Sequence, residues 1–277
     1  KDNNIIMAGL FQSSLNIEYM TLFSSTSGRE GYVVKFDGED GELYWAQVAN
    51  LGTDVQPKLS VATDTEGNVI FSGASEGSNF LQKYGPYGNN MWSDIYPMDS
   101  YFFSMVSTDA SNNIYMTSEI HLTSSPINIG TVSLSQTSND GATVLIKFDP
   151  DGTPLWAKTY GGVTGAAEAD GWPTDINNDA DGNTYLWGWC LNYAVFGSTT
   201  LTNPYTTDPV YSYYLTKIDE NGDVLWAEGV YETSSYSSNY GDMMDLDANG
   251  NVYVGGHFKN KINIQGTDFL VSGTNDF

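Results

Sequence analysis

Two short sequence patterns alternate along the chain, and this alternation limits the possible folds more than any other feature. The first motif is an apolar run, a turn rich in Asp and Gly, and a second apolar run that contains Trp. Its copies begin at Lys35, Lys83, Lys147 and Lys217. The second motif is a turn rich in Asp and Asn, followed by an apolar run. Its copies begin at Asp2, Asp64, Asp109, Asp179 and Asp247. Internal repetition on this scale is typical of propellers, solenoids and other repeat arrays.

A third motif lies in the long gaps between a second motif and the following first motif. It reads INIGTVSL from Ile127, AVFGSTTL from Ala194 and INIQGTDFL from Ile262, with a weaker copy, LNIEYMTL, from Leu15. Apolar and polar residues that alternate around a turn predict a small additional β-hairpin. The repeats therefore differ in length because of these insertions, whereas the alternation of the first and second motifs is the same throughout.

The local sequence predicts strands and turns throughout. The apolar runs are short, rich in Val, Ile, Tyr, Phe and Trp, and bounded by Asp-Gly, Asn-Gly and Gly-Asn pairs. The first repeat supplies four strands: YVVKFD, ELYWAQV, KLSVATD and NVIFSGA. Four antiparallel strands per repeat are typical of a β-propeller blade. We therefore predict an all-β fold, a β-propeller with four full repeats and a partial one, in a single domain over residues 1–277.

The recurring Trp of the first motif has two interpretations. It is either a platform on which a ligand stacks or a core residue between neighbouring blades. Because the Trp returns at the same strand position in each repeat, the core interpretation is favoured.

Composition and charge exclude several classes of function. The 277 residues carry 34 acidic and 10 basic side chains, a formal charge of −24. Binding to nucleic acid requires clustered Lys and Arg, so neither a nucleic acid nor an anionic membrane surface is an expected partner. No apolar stretch approaches the roughly 20 residues of a membrane helix, so no direct membrane insertion is expected.

Enzyme signatures are absent from the sequence. The chain has no Gly-x-Ser-x-Gly elbow, no phosphate-binding loop and no His-rich metal spacing. Its only cysteine, Cys190, lies in the apolar run YLWGWC and is expected to be a small buried hydrophobe. No catalytic residue is predicted.

The stretch LIKFDPDGTPLWAKTYGG, followed by DADGNTYLWG and FGSTTLT, resembles the seven-bladed β-propeller repeat of secreted and cell-surface bacterial proteins. The match runs from Lys147 to Lys158 and from Asp179 to Gly188, and the copies at Asp219 and Asp247 match as well. The copy at Lys83 departs from the pattern. The resemblance implies an extracellular or cell-surface location, and for part of the family it implies export by the type IX route.

The positions of the motifs predict a piece of a larger polypeptide. The sequence opens inside a second motif, and Phe277 aligns with Tyr32 at the start of a first motif. The resemblance implies a full ring of about seven blades. The alternative is a five-bladed ring closed by the two ends of the chain.

Two loops have oxygen-bearing side chains at alternate positions around a glycine. These side chains belong to Asp245, Asp247, Asn249 and Asn251 in one loop, and to Asn177, Asp179, Asp181 and Asn183 in the other. Calcium prefers several oxygen ligands from a tight loop, so both loops are candidate Ca²⁺ sites, and no other cofactor is predicted. The alternative is a pair of ordinary hairpin turns whose Asp and Asn side chains cap their own backbone.

The variable loops are the candidate binding surface. The loops 190–212 and 230–242 contain tyrosines among Ser, Thr and Asn, a composition that suits adaptable recognition of a protein or a glycan. The predicted ligand-binding residues are Tyr205, Tyr211, Tyr213, Tyr236 and Tyr240. The alternative is that these rings only hold the loops against the fold.

These observations together predict a non-catalytic extracellular β-propeller module. It would act as a scaffold or an adhesion and interaction domain of a secreted or surface-attached bacterial protein. The alternative function is a secreted propeller enzyme, either a glycan hydrolase or a quinone-dependent oxidoreductase.

Overall fold

The computed structural model describes residues 3–49, 55, 58–75, 77–98, 104–120, 126–134, 141–162, 169–205, 211–232, 241–256, 258 and 261–270. Every regular element among these residues is a β-strand, so the all-β prediction is confirmed. Among them there is accordingly no helix that could cross a membrane.

The described strands are short, as expected for apolar runs between tight turns. The first twelve are β1 (Ile5–Phe11), β2 (Ser14–Ile17), β3 (Met20–Phe23), β4 (Glu30–Phe36), β5 (Leu43–Val48), β6 (Ser60–Thr63), β7 (Val69–Ser75), β8 (Ser78–Tyr84), β9 (Asn90–Tyr96), β10 (Ser104–Thr108), β11 (Ile114–Ile120) and β12 (Ile127–Ile129). The others are β13 (Val132–Leu134), β14 (Ala142–Phe148), β15 (Pro154–Tyr160), β16 (Ala169–Asn178), β17 (Thr184–Phe196), β18 (Thr199–Thr202), β19 (Tyr211–Ile218), β20 (Val224–Glu232), β21 (Gly241–Leu246), β22 (Val252–Gly256), β23 (Lys261–Ile264) and β24 (Thr267–Leu270).

The chain divides into two compact units. Unit 1 comprises Lys1–Met116 and Lys147–Leu155, and unit 2 comprises Thr117–Ile146 and Trp156–Phe277. The prediction of one domain over residues 1–277 stays a prediction.

Antiparallel sheets form the framework. Strands β6, β7, β8 and β9 make one sheet in that order, and β10, β11, β14 and β15 make another. Strands β16, β17, β19 and β20 repeat the order, with β23 and β24 added beside β20. Strands β1, β4 and β5 form a three-stranded sheet, and among the described strands β21 pairs with β22 only. Strands β7, β11 and β14 are buried along their whole length, as expected for strands covered on both faces.

The sequence repeat and the sheet are out of phase by two strands, which corrects the prediction that one repeat makes one sheet. The four strands of the first sequence repeat are β4 to β7, but β4 and β5 pair with β1, whereas β6 and β7 pair with β8 and β9. The reason is the length of the connections. A turn of two residues joins β7 to β8, with Ser75 opposite Ser78, and such a turn forces the strands to pair. The link from β5 to β6 is long enough for the chain to leave the sheet.

The third motif forms the small hairpins that were predicted. They are β2–β3, β12–β13, the end of β17 with β18, and β23–β24. Two of these hairpins also pair with the outer strand of the preceding sheet. Gly161 beyond β15 forms a bridge with Val195 of β17, and Val230 of β20 pairs with Ile264 of β23. The hairpins therefore connect neighbouring sheets through backbone hydrogen bonds.

Each sheet has two distinct ends because its strands are antiparallel. The turns of the first and second motifs lie at one end, which we call the turn end. The connections that contain the third-motif hairpins lie at the opposite end, which we call the loop end. The described members of the two classes of candidate site residue thus lie at opposite ends of the sheets.

The recurring Trp packs against the first-motif turn of the following sheet, as the core interpretation predicts. A Cβ atom added to Gly88 would lie 2.7 Å from Cγ of Trp45. A Cβ atom added to Gly152 would likewise contact the indole of Trp92, and one added to Gly222 would contact the indole of Trp156. The indole of Trp45 donates to Pro86 O at 3.0 Å, and that of Trp156 donates to Glu220 O at 3.1 Å. We call this arrangement the Trp–Gly joint.

The glycine of each joint has a positive φ that favours this residue type. The φ angles are 83° at Gly88, 85° at Gly152 and 81° at Gly222. Only a residue without Cβ satisfies both the left-handed backbone and the close approach of the indole. The sheet-to-sheet contact therefore depends on a glycine in one turn and a Trp in the preceding sheet.

Candidate functional site

The residues predicted to bind calcium lie at the turn end. There, the Asp that begins a second-motif turn accepts hydrogen bonds from other groups of the same turn. Asp179 accepts hydrogen bonds from the backbone N–H groups of Asp181 and Asn183, at 3.1 and 2.9 Å. The side-chain amide of Asn183 donates to both oxygens of the same carboxylate. The turns at Asp64, Asp109 and Asp247 repeat this pattern. These are hairpin turns in which an Asp side chain caps its own backbone.

A lysine of the first motif completes the network in two repeats. Nζ of Lys217 lies 2.9 Å from Asp179 and above the ring of Tyr185, whose centroid is 4.9 Å away. Lys83 makes the same ion pair with Asp64 at 3.0 Å. Burial would raise the pKa of Asp64, but the hydrogen bonds from Asn68 and Lys83 outweigh it and leave the pKa below its ordinary value. The recurring Lys and Asp of the two motifs are thus explained as one structural pair.

The remaining predicted calcium ligands do not converge on the glycines of their turns. Asn177 donates its side-chain amide to Met244 O at 2.9 Å, and Asp245 accepts from the N–H of Leu246. Within the part of the chain that the structure describes, no group of three His, Cys, Asp or Glu side chains is arranged to hold a metal ion. The calcium prediction stays untested, and the observed hydrogen bonds favour the alternative of ordinary hairpin turns.

The predicted tyrosines at the loop end have different environments. Tyr213 is buried and stacks on Trp187, with ring centroids 5.2 Å apart and an angle of 8°. Tyr205 is exposed and lies 6.4 Å from the ring of Tyr231, with Lys261 on its face. Tyr236 and Tyr240 lie outside the described residues. Of the described members, Tyr211 alone joins a larger cluster of aromatic side chains.

Tyr211 belongs to what we call the loop-end aromatic cluster, which consists of Trp172, Trp189 and Tyr211 around the carboxyl group of Glu119. Trp172 and Trp189 are opposite each other on β16 and β17, and their rings stack with centroids 4.0 Å apart. Tyr211 meets Trp189 edge-on at 4.9 Å. The indole N–H of Trp172 donates to Oε1 of Glu119. All three rings are partly exposed, whereas Glu119 is 2% exposed.

The position of Glu119 departs from the repeat. When the second motifs are aligned on their turns, Glu119 of β11 corresponds to Leu10 of β1, Ala74 of β7 and Trp189 of β17. A carboxyl group thus stands in one sheet where three others have an apolar side chain. Positions that break a local rule are expected to be functional or strained sites. This cluster was not predicted from the sequence, although Glu119 stands out when the copies of the second motif are aligned.

Unit 2 also contains an apolar pocket of about 620 Å³. It is lined mainly by aromatic and aliphatic side chains of β17, β19, β20, β22 and the β23–β24 hairpin, together with Phe258. These include Trp187, Tyr213, Trp226, Val254, Phe258 and Phe269. The volume is within the range of ligand pockets, but one wall is the edge strand β22.

No protein-family model matches the chain, and no curated protein matches it either. Among solved structures, the chain is similar to a protein of unknown function from Bacteroides caccae, with 13% identity and a TM-score of 0.46. That similarity covers 88% of this chain and 66% of the Bacteroides caccae protein. A protein from Lactobacillus plantarum has 12% identity and a TM-score of 0.39, and the match covers 97% of this chain and 82% of that one.

Proposed function

We propose that the chain is part of a β-propeller and serves as a non-catalytic interaction module. The recurring Trp–Gly joint supports the propeller, because it packs each sheet against the next in the same way within each unit. Unit 1 contains the joints of Trp45 and Trp92, and unit 2 contains that of Trp156. Repetition of one joint between successive antiparallel sheets is what a ring of blades requires.

Contacts between the first strands of successive sheets give further support. In unit 1, β6 contacts β10, and the hydroxyl of Thr108 donates to Thr63 O at 2.8 Å. In unit 2, β16 contacts β21, and Asp175 accepts from the N–H of Met244 at 2.7 Å. First strands that lie side by side are expected where blades converge on a central axis.

The observation that carries the interaction role is the loop-end aromatic cluster. Two stacked indoles and a phenol are partly exposed there, and the buried carboxylate of Glu119 fixes the orientation of one indole. Large rigid rings with a polar edge give much contact area at a low entropic cost. Such a surface suits a ligand with flat apolar faces and many hydroxyl groups.

The ligand class that best fits this surface is a neutral polysaccharide. The segments 190–212 and 230–242, the first of which includes Tyr211, are rich in Ser, Thr, Asn and Tyr, and charged side chains are few in them. A partner recognised by charge would need more ionic groups than these segments supply. A glycan requires ring stacking and neutral hydrogen bonds, and both are available.

Binding of soluble neutral polysaccharides to the purified chain tests this proposal. Xylan, mannan and a mixed-linkage glucan are suitable probes, with isothermal titration as the readout. We expect Trp189→Ala and Trp172→Phe to weaken binding about tenfold or more, since aromatic anchors dominate recognition surfaces. Tyr87→Ala is the matched control, because Tyr87 is an exposed aromatic residue at the turn end.

Two results would refute the interaction role as stated. One is a folded protein that binds none of the three polysaccharides, and the other is equal binding by the cluster variants and the wild type. Reducing sugar that accumulates in the same samples would instead favour the alternative of a glycan hydrolase.

The proposed location is extracellular or at the cell surface, with type IX export as the implied route. This part of the proposal rests on the resemblance of the repeats to those of secreted bacterial proteins. Protease treatment of intact cells of the source organism tests it. We expect the chain to be degraded while a cytoplasmic marker stays intact.

A further inference from the structure

A second group of aromatic side chains lies at the loop end of the sheet that contains β17, β19 and β20. Tyr205 is 44% exposed, and its ring centroid lies 6.4 Å from that of the partly buried Tyr231. Nζ of Lys261 lies 6.0 Å from the ring centroid of Tyr205 and 2.7 Å from the carboxylate of Asp268. We call Tyr205, Tyr231, Lys261 and Asp268 the tyrosine platform.

Paired strands and hydrogen bonds support the tyrosine platform. Tyr231 lies on β20 between Ser212 of β19 and Asn263 of β23, so the sheet is paired on both sides at this point. The backbone N–H of Tyr205 donates to the side chain of Asn203, whose amide donates to the hydroxyl of Ser212. The exposure of these rings therefore does not come from an open sheet edge.

The ring of Tyr231 has a fixed place on the sheet. A Cβ atom added to Gly229, two residues earlier on β20, would overlap the phenol ring of Tyr231. The glycine thus leaves the space in which the ring lies. Because the ring is held before any ligand arrives, little conformational entropy is lost when a ligand stacks on it.

The tyrosine platform and the loop-end aromatic cluster lie on opposite faces of one sheet. Trp189 is opposite Tyr213 on β19, and Tyr231 is opposite Ser212, the neighbouring residue of the same strand. Because successive residues of a strand project to opposite faces, Trp189 and Tyr231 do so as well. Their Cα atoms are about 10 Å apart, since two strand spacings separate β17 from β20. A ligand that contacts both groups of rings is therefore an extended molecule that passes across the loop end of β19.

We propose that the tyrosine platform is a second binding site for the same neutral polysaccharide, so that one long polysaccharide chain occupies both groups of rings. This inference rests on the proposed function, because it takes the ligand class from the loop-end aromatic cluster. The two phenol rings supply faces for stacking, and their hydroxyls supply hydrogen bonds. The charges of Lys261 and Asp268 compensate each other, so the platform suits hydroxyl groups better than a charged ligand.

Two sites for one polymer make the affinity depend on the length of the ligand. A short oligosaccharide reaches only one group of rings, whereas a polysaccharide that reaches both makes its second contact within the same complex. Such linkage raises the overall affinity by about 10²–10⁴-fold over that of either site. The protein therefore distinguishes long polysaccharide segments from short ones.

The test compares xylan, mannan and mixed-linkage glucan with the trisaccharide of each polymer, using the full chain. Isothermal titration measures polysaccharide binding. The change in Trp fluorescence measures trisaccharide binding at the cluster, because Trp172 and Trp189 are its stacking rings. We expect Tyr205→Ala to weaken polysaccharide binding about tenfold or more and to leave the fluorescence titration with the trisaccharide unchanged. Trp189→Ala should weaken the binding of both ligands.

Three further variants serve as controls. Tyr205→Phe keeps the ring and should keep most of the polysaccharide affinity. Gly229→Ala displaces the ring of Tyr231 without removing it, so it should also weaken polysaccharide binding. Tyr87→Ala removes an exposed ring at the turn end and should have no effect.

The outcomes separate this inference from the proposed function. Unchanged polysaccharide affinity in Tyr205→Ala would overturn the second site and leave the proposed function standing. An equal loss of affinity for the polysaccharide and the trisaccharide would also overturn it, because both ligands would then share a single site. A folded wild-type chain that binds none of the three polysaccharides would overturn the proposed function, and this inference with it.

Discussion

Burial decides how much each lysine–aspartate pair contributes to stability, and two pairs provide a controlled comparison. The pair Lys83–Asp64 has an N–O distance of 3.0 Å, with side chains 4% and 0% exposed. The pair Lys158–Asp223 has a distance of 2.7 Å, with side chains 38% and 75% exposed. The exposed pair is the shorter, so distance alone ranks the two pairs in the opposite order from burial.

We expect Lys83→Met to lower the free energy of unfolding by about 3 kcal/mol. Removing one partner of a buried pair leaves the other charge without compensation, which costs about 3–5 kcal/mol. The lower bound applies because Asp64 keeps the hydrogen bonds from Asn68. Lys158→Met should cost less than about 1 kcal/mol, since exposed ion pairs are screened by water.

Thermal unfolding of the two variants and the wild type measures the difference. For a chain of this size, about 1 kcal/mol corresponds to about 2–4 °C, so Lys83→Met should lower Tm by about 6–12 °C. Lys158→Met should lower it by less than about 4 °C. Repeating the melts at high salt adds a control, because salt screens the exposed pair and leaves the buried pair nearly unchanged.

Equal destabilisation by the two substitutions would refute the reasoning, and so would a neutral Lys83→Met. The first result would mean that burial does not set the energy of these pairs, and the second that the turn hydrogen bonds alone stabilise the Asp64 carboxylate. The pH dependence gives an independent check. Because the pKa of Asp64 is lowered in the fold, its contribution is present above pH 4 and is lost as the pH falls through the folded value. Lys83→Met should therefore move acid unfolding to higher pH.

Three further predictions concern the joints, the buried tyrosines and the calcium loops. Gly67→Ala should lower the free energy of unfolding by about 1–2 kcal/mol, because an alanine is strained at a positive φ. Gly88→Ala should lower it by about 1–3 kcal/mol more, because of these two sites only the added Cβ at 88 meets an indole. Urea titration of both variants measures the difference, and equal losses of stability would contradict the joint. Burial raises the pKa of Tyr84 to about 12, so the stability contributed by its neutral form is present below pH 10 and is lost as the pH rises towards 12. Alkaline melts of wild type and Tyr84→Phe should diverge over that interval, and parallel curves would contradict it. Adding calcium, and then excess chelator, should leave Tm unchanged, because Asp179 and Asp247 already accept hydrogen bonds from their own turns. A rise of several degrees that the chelator reverses would instead establish the predicted calcium sites.

The sequence was sufficient to predict the strands, the turns and the small hairpins. These features depend on neighbouring residues, because alternating apolar residues and Gly or Asn at positive φ fix a hairpin within about ten positions. The pairing of strands across sheets was not predicted. Whether β5 pairs with β6 depends on how far the connecting segment lets the chain travel, and the local pattern of residues does not encode that distance.

The candidate site was predicted only in part. Tyr211 was identified from the composition of its loop, but Trp172 and Glu119 are distant from it in sequence and meet it only after the sheets form. The loops at Asp179 and Asp247 have the oxygen spacing of a metal site. Their carboxylates nevertheless accept hydrogen bonds within the turn. Because a metal ion and these hydrogen bonds would use the same oxygens, the spacing of the residues does not distinguish a metal site from a capped turn.

The Trp–Gly joint also makes each sheet depend on a part of the chain that comes much later in the sequence. The Trp45 indole and its acceptor at Pro86 are separated by 41 residues, and those of Trp156 and Glu220 by 64. Whether the chain folds during synthesis or after export, a finished sheet keeps its Trp uncovered until the next first-motif turn has reached it. During that interval an apolar face is available to other unfolded chains, so the order in which the sheets fold decides how long the chain is open to aggregation.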